Sequence, residues 1–132
     1  MTTEIYVAGG YKHRMAIRAF VDTIESTGLY KQPRRWFDVE ETDETHAQSA
    51  TADMDAVRSA ELVVAVIDDP DYAYRGTWTE VGAAVALNKR VVIIGPRTTA
   101  SARNVFWHHP AITHVESTAV FVHTAMIDAV RQ

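Results

Sequence analysis

Thr77 and Glu80 are spaced in a way that suits two different kinds of chemistry. The pattern Thr-x-x-Glu is typical of a capping box, in which both side chains bond to free backbone N–H groups at a helix start. A helix start also carries partial positive charge, which favours an ionised carboxylate that could act on a ligand. A glutamate folded back onto the backbone cannot also point a free oxygen at a ligand. Glu80 is therefore either a structural residue or a chemical one.

Other acidic residues have simple structural explanations as well. Asp53 and Asp55 fall in the first turn of a predicted helix, where acidic side chains are common because of the helix dipole. Asp68 and Asp69 precede a proline and are typical of a turn, although Asp68 could face a crevice. Tyr6 alone would be an ordinary strand aromatic. None of these residues identifies a site by itself.

The standard nucleotide and hydrolase motifs are missing. The chain has no G-x-x-x-x-G-K-[ST] run, no G-x-G-x-x-G after the first strand and no G-x-S-x-G elbow. The six histidines include the adjacent pair His108 and His109, and neighbouring side chains on a regular element point in different directions. We therefore expect no metal site and no cofactor.

The composition is that of a globular protein of one domain, residues 1–132. A formal net charge of −4 argues against general nucleic-acid binding, and Arg34-Arg35 is too short for a basic patch, so we expect that pair to be solvated. The absence of cysteine excludes disulfides and thiolate sites. No apolar run is long enough to span a membrane, and the N-terminus does not resemble a signal peptide. We expect a cytoplasmic protein without membrane or nucleic-acid partners.

Hydrophobic periodicity predicts strands that alternate with helices. The predicted strands span residues 5–8, 36–39, 62–67, 91–94 and 112–115. The predicted helices span residues 12–27, 51–60, 77–88 and 117–130, with loops at 40–49 and 97–110, the second of which could contain a short helix. The strands at 62–67 and 91–94 are continuously apolar, as in a sheet covered on both faces. We predict an α/β fold: a three-layer α/β/α sandwich with a mainly parallel five-stranded sheet, flavodoxin- or Rossmann-like.

In open α/β sheets, ligands bind beyond the carboxyl ends of the strands, where the strand order reverses. Three loops should meet there, at residues 9–11, 68–76 and 95–104. Glu80 would lie in the first turn of the helix that follows the second of these loops.

Four stretches over nearly the whole chain resemble a known superfamily. They are Ile5–Gly9 (IYVAG), Ala52–Asp55 leading into Ala60–Val66, Gly76–Ala84 (GTWTEVGAA) and Ala86–Val91 (ALNKRV). With them the chain resembles the nucleoside 2-deoxyribosyltransferase superfamily, which includes 2′-deoxynucleoside 5′-monophosphate N-glycosidases. The resemblance implies cleavage of an N-glycosidic bond by a carboxylate nucleophile, with the sugar passed to another base or to water.

The resemblance also implies roles for individual residues. Glu80 would attack C1′ of the sugar, Asp53 would hydrogen-bond or protonate the departing base, and the Tyr6 hydroxyl would hold the nucleophile in line. We then expect Glu80 to turn towards Tyr6, with Thr77 capping the helix alone. The expected substrate-binding residues are Gly9, Gly10, Tyr11, Asp68, Tyr74, Gly76, Thr77 and Asn104.

Asn104 would reach the active site of a neighbouring subunit and bind the 5′-hydroxyl of the sugar. The resemblance therefore implies a homodimer or higher homo-oligomer with a shared site and a small nucleoside or nucleotide as substrate. Phe106 and Trp107 are either core residues or the apolar part of that interface.

The chain departs from the family pattern in ways that leave the substrate open. Six residues before Glu80, where the transferases have an acid and the monophosphate hydrolases a serine, it has Tyr74. It also ends at Gln132, without the extended tail of some transferases. Basic residues at 12–14 suit a phosphate, whereas Asn104 suits an unphosphorylated sugar. One alternative is a non-catalytic nucleotide-binding or sensing module of the same fold. Another is a phosphoribohydrolase or an NAD glycohydrolase. The phosphoribohydrolases typically have a P-G-G-x-G-T run, of which only Gly76-Thr77 is present here.

Overall fold

The computed structural model describes residues 1–97 and 100–132, and these contain five strands and four α-helices. The strands are β1 (Thr3–Ala8), β2 (Tyr30–Lys31), β3 (Leu62–Val66), β4 (Arg90–Ile94) and β5 (Ile112–Val115). The helices are α1 (Arg14–Glu25), α2 (His46–Ser59), α3 (Arg75–Ala86) and α4 (Thr118–Val130). Short 3₁₀ helices lie at Tyr11–His13, Trp36–Asp38, Ala100–Arg103 and Val105–His108.

All strand pairs are parallel, and the strand order is β2-β1-β3-β4-β5. Helix α1 packs beside α4, and α2 packs beside α3, so a helical layer covers each face of the sheet. This arrangement confirms the predicted three-layer α/β/α sandwich. The chain moves outward in opposite directions from β1, to β2 on one side and to β3 on the other, which places the crevice for a ligand between β1 and β3.

The apolar centre of the sheet explains why its middle strands could be predicted. Every residue of β3 is buried, as are Ile5 to Ala8 of β1. Full burial of one valine or isoleucine side chain stabilises the folded chain by about 1.5–3 kcal/mol. A strand buried on both faces has no polar side to show, and its sequence is therefore continuously apolar.

The strand predicted at residues 36–39 is wrong. The second strand is Tyr30–Lys31, and Trp36–Asp38 forms a 3₁₀ helix. Where β2 ends, side chains take over its hydrogen bonds to β1: the Gln32 amide oxygen accepts from Val7 N–H at 2.8 Å, and Trp36 Nε1 donates to Val7 O at 2.7 Å. Trp36 and Phe37 are apolar because they are buried, and not because they pair in the sheet.

Two helices begin earlier than predicted. Helix α2 starts at His46, within the segment predicted as a loop, and α3 starts at Arg75. A side-chain hydrogen bond stabilises the first turn of α2: the hydroxyl of Ser49 donates to the carboxylate of Glu41 at 2.5 Å. Such bonds leave no hydrophobic period in the sequence.

Residues 98 and 99, inside the loop predicted at 97–110, lie outside the described residues. No helix in the described ranges is long and apolar enough to cross a membrane.

Candidate active site

A cleft of about 430 Å³ opens at the carboxyl edge of β1 and β3, a volume suited to a small organic ligand. Nine of the eleven residues predicted for the site line it: Tyr6, Gly9, Gly10, Tyr11, Asp53, Tyr74, Gly76, Thr77 and Glu80. They come from β1, α2 and α3 and from the loops after β1 and β3. Asp68 and Asn104 are not among the residues that line this cleft.

Tyr6 and Glu80 meet at the inner end of the cleft. The hydroxyl of Tyr6 donates a short hydrogen bond to Oε2 of Glu80. Burial raises the pKa of Glu80 to about 7, the hydrogen bond from Tyr6 opposes that rise, and the charge of Asp53 adds to it. Burial and the neighbouring Glu80 raise the pKa of Tyr6, so its hydroxyl stays a donor. The arrangement is a carboxylate with one oxygen held and the other available.

The capping box does not form. Helix α3 begins at Arg75, so Glu80 lies in its second turn, beyond the reach of the free N–H groups. Tyr74 occupies the N-cap position with a left-handed backbone (φ 54°) and gives no side-chain cap. The expectation that Thr77 caps the helix alone is therefore wrong. Thr77 is buried and lines the cleft.

Asp53 faces the cleft from α2 and is held by an arginine. Arg34 Nε donates to Asp53 Oδ1 at 2.9 Å, and both side chains are about three-quarters buried. Burial raises the pKa of Asp53, and the guanidinium of Arg34 opposes that rise. The expectation that Arg34 is solvated is wrong, because pairing with Asp53 keeps it partly buried.

Tyr74 braces the loop between β3 and α3. Its hydroxyl accepts the backbone N–H of Asp69 at 2.9 Å and that of Asp68 at 3.3 Å. The Asp68 side chain instead lines a smaller cavity with His13 and Thr118. Tyr74 therefore contributes the shape of the cleft wall, with its hydroxyl occupied by the loop.

Asn104 acts as a cap within its own chain. Its Oδ1 accepts the backbone N–H of Phe106 at 2.9 Å at the start of the 3₁₀ helix Val105–His108. Trp107 is fully buried, so the interface role considered for it is wrong and it is a core residue. Phe106 is 61 % exposed and Val105 is 73 % exposed.

Several residues that line the cleft were not predicted from sequence: Trp36, Glu41, His46, Ser49, Ala50 and Tyr72. All except Tyr72 lie between β2 and the second turn of α2, in the segment whose structure was predicted wrongly. Glu41 belongs to the acidic run EETDE, where nothing in the sequence separates a ligand-facing carboxylate from its solvated neighbours. Tyr72 sits against Gly10, where an added methyl group would lie 2.6 Å from the ring.

Comparison with known proteins decides the family. The family model for nucleoside 2-deoxyribosyltransferase matches residues 5–120, which is most of the chain. The chain belongs to the nucleoside 2-deoxyribosyltransferase family. The matched range contains Tyr6, Asp53 and Glu80. The chain is therefore an enzyme of the nucleoside 2-deoxyribosyltransferase class.

Two solved structures share the fold of this family member. The 2-deoxyribosyltransferase of Bacillus psychrosaccharolyticus is 21 % identical, with a TM-score of 0.64 and 88 % of each chain covered. The CMP N-glycosidase BcmB of Clostridium botulinum is 15 % identical, with a TM-score of 0.64, 94 % of this chain covered and 98 % of that one. No curated protein sequence matches the chain.

Proposed function

We propose that the enzyme cleaves the N-glycosidic bond of a (deoxy)nucleoside or nucleotide through a covalent glycosyl–Glu80 intermediate. The observation that supports this most is the carboxylate of Glu80, held by the hydroxyl of Tyr6 at the inner end of a cleft of ligand size. A carboxylate nucleophile paired with a group that handles the proton of the leaving base is the logic of retaining glycoside cleavage.

The first step breaks the bond to the base. The free oxygen of Glu80 attacks C1′, the C1′–N bond breaks, and its electron pair leaves with the base. Asp53 donates a hydrogen bond or a proton to the base nitrogen that receives this pair. Its raised pKa suits that role, because burial makes Asp53 retain a proton at higher pH than a solvated aspartate does.

The second step releases Glu80. A nitrogen of an incoming base, or a water oxygen, attacks C1′ from the face that the first base has left. Its N–H or O–H proton passes to the Asp53 carboxylate, and the C1′–Oε bond breaks so that Glu80 leaves as a carboxylate. One of the two structural neighbours is a 2-deoxyribosyltransferase and the other a CMP N-glycosidase, so both acceptors belong in the proposal. Two displacements at C1′ preserve its configuration.

We also propose a homodimer or higher homo-oligomer with a shared site. The exposed side chains of Val105 and Phe106 lie next to Asn104 and offer an apolar contact to a second copy. In a partner's cleft, the amide nitrogen of Asn104 would be the donor, since its Oδ1 makes the cap. Sedimentation at micromolar concentration should find a dimer or larger species, and a monomer with full turnover would contradict the shared site.

A panel of nucleosides and nucleotides tests the reaction. The protein is incubated with ribo- and 2′-deoxy forms, with and without a 5′-phosphate and with and without an acceptor base, and base release is followed chromatographically. We expect release from at least one member and, for a transferase, a new nucleoside when the acceptor is present. If no member releases its base while one raises the melting temperature, the alternative of a non-catalytic binding module is favoured.

A further inference from the structure

A third carboxylate, Glu41, lines the cleft together with Asp53 and Glu80. Its Oε1 accepts the hydroxyl of Ser49 at 2.5 Å, and its Oε2 lies 3.0 Å from the hydroxyl of Thr45. A carboxylate has about four acceptor sites. One contact on each oxygen leaves Glu41 with acceptor capacity facing the cleft, where its side chain is 22 % exposed.

Helix α2 places Glu41 one turn away from Asp53 in the cleft wall. Ser49, whose hydroxyl donates to Glu41, and Asp53 are four residues apart on α2, so they lie on the same face of the helix about one turn apart. If Glu80 meets the sugar and Asp53 meets the base near the glycosidic nitrogen, Glu41 lies beside the base, one turn of α2 from Asp53.

Glu41 is held as an anion and, among the residues that the structure describes, has no cationic group within hydrogen-bond distance. The hydroxyl of Ser49 is the main cause that lowers the pKa of Glu41, with a smaller contribution from Thr45. The nearest basic group is the exposed His46, whose Nε2 is 3.9 Å from Oε2 of Glu41. Arg34 contacts Asp53 instead. A fixed anionic acceptor in a partly buried wall favours N–H donors and disfavours carbonyl oxygens.

We infer that Glu41 accepts a hydrogen bond from an exocyclic amino group of the substrate's base, so that the cleft selects an amino-bearing base over its oxo or unsubstituted counterpart. Cytosine N4, adenine N6 and guanine N2 carry such groups, and aspartate and glutamate accept from the N4 amino group of cytosine. The rings of Tyr11, Trp36 and Tyr72 line the same cleft and supply apolar walls for a planar base. This inference rests on the proposed function, since it concerns the same cleft.

Glu41 also fastens its loop to α2, so the test must separate recognition from a structural role. A structural role would change the binding of both members of a matched pair equally. Recognition changes their ratio. Glu41→Gln keeps an amide oxygen for Ser49 but turns one acceptor into a donor. Glu44→Gln is the matched control, because Glu44 is exposed in the same loop and does not line the cleft.

The experiment measures calorimetric Kd and base release for three pairs: cytidine and uridine, adenosine and inosine, and guanosine and inosine, as nucleosides and as 5′-monophosphates in ribo- and 2′-deoxy forms. The wild-type chain should bind the amino member of at least one pair about tenfold more tightly. Glu41→Gln should abolish or reverse that ratio, and Glu44→Gln should leave it unchanged.

Two outcomes would overturn the inference. In the first, no pair shows a preference for its amino member, which includes the case in which neither member of any pair binds. In the second, the preference persists in Glu41→Gln. A preference that depends on Glu41 in binding, without base release from any substrate, would support the recognition role and contradict the proposed reaction. The two proposals can therefore fail separately.

Discussion

The hydroxyl of Tyr6 donates to the carboxylate of Glu80, although the two residues are 74 positions apart in the chain. Tyr6 lies on β1, directly opposite Val63 of β3, and α3 follows β3. The reversal of strand order at β1 and β3 is therefore what brings a strand residue from the start of the chain to the second turn of the third helix. The fold brings the two residues together from two segments whose local sequences do not indicate that they are in contact.

Tyr6→Phe should shift the pH profile of kcat/KM to higher pH. The Tyr6 hydroxyl lowers the pKa of Glu80 by stabilising its charged form, so the pKa rises above about 7 when that donor is lost. Less of the nucleophile is then ionised at neutral pH, and we expect a roughly 10- to 100-fold loss there, partly recovered at higher pH. Tyr30→Phe, at a half-buried tyrosine of β2 outside the cleft, should leave the profile unchanged.

The raised pKa of Glu80 predicts a specific dependence of stability on pH. Folding raises this pKa from 4.5 to about 7, so between these values the folded state holds a proton that the unfolded chain has lost. The free energy of unfolding should therefore fall as pH rises through that window, by at most about 1.4 kcal/mol per pH unit, and level off above it.

Glu80→Gln isolates this contribution from those of the other titrating groups. The difference in melting temperature between Glu80→Gln and the wild-type chain should be small near pH 4.5, widen in favour of the variant up to pH 7, and stay constant above. A difference that does not change with pH would show that Glu80 titrates near its ordinary value.

The ion pair of Arg34 and Asp53 should couple more strongly than an exposed pair of the same length. Its two side chains are 24 % and 26 % exposed at 2.9 Å, whereas Arg58 and Asp55 are 61 % and 65 % exposed at 2.9 Å. Double-mutant cycles of unfolding should give roughly 1–2 kcal/mol for the first pair and less than about 0.5 kcal/mol for the second. Equal coupling energies would mean that water screens both pairs alike.

Gly10→Ala should narrow the cleft without damaging the backbone. Gly10 has an ordinary extended conformation (φ −71°, ψ 136°), but an added methyl group would lie 2.6 Å from the ring of Tyr72. The ring must move, which we expect to raise KM at a stability cost of about 1 kcal/mol.

Gly82→Ala is the matched control for this substitution. Gly82 is exposed on α3, and an added methyl group there meets nothing within 4 Å. It should stabilise the helix by about 0.5–1 kcal/mol and leave KM unchanged. An unchanged KM in Gly10→Ala would show that Tyr72 does not shape the binding cleft.

The sequence predicts the sheet well where burial is strongest and poorly where side chains replace the backbone. Strands β1, β3 and β4 contain continuous apolar runs, and their parallel arrangement follows from the alternation with helices. Strand β2 has only two residues, and Gln32 and Trp36 continue its hydrogen bonds with side chains. No residue pattern distinguishes a segment that pairs through its side chains from one that pairs through its backbone as a strand.

The residues of the site also fall into those that the sequence predicts and those that it does not. The resemblance places Tyr6 and Glu80, and the structure brings them together as expected. Glu41 and Arg34 depend on how the chain between β2 and α2 folds, which in turn depends on single polar contacts such as Glu41 to Ser49. Contacts of that kind have no period along the chain, so sequence patterns do not reveal them.

Base release by purified Glu80→Gln tests the central claim most directly. The amide keeps the shape of the side chain but removes the nucleophile, so release from a substrate of the wild-type enzyme should fall by at least about 1000-fold with the fold intact. Glu116→Gln, at an exposed glutamate outside the cleft, should retain full turnover. Wild-type rates of base release by Glu80→Gln would contradict the assignment of Glu80 as the nucleophile.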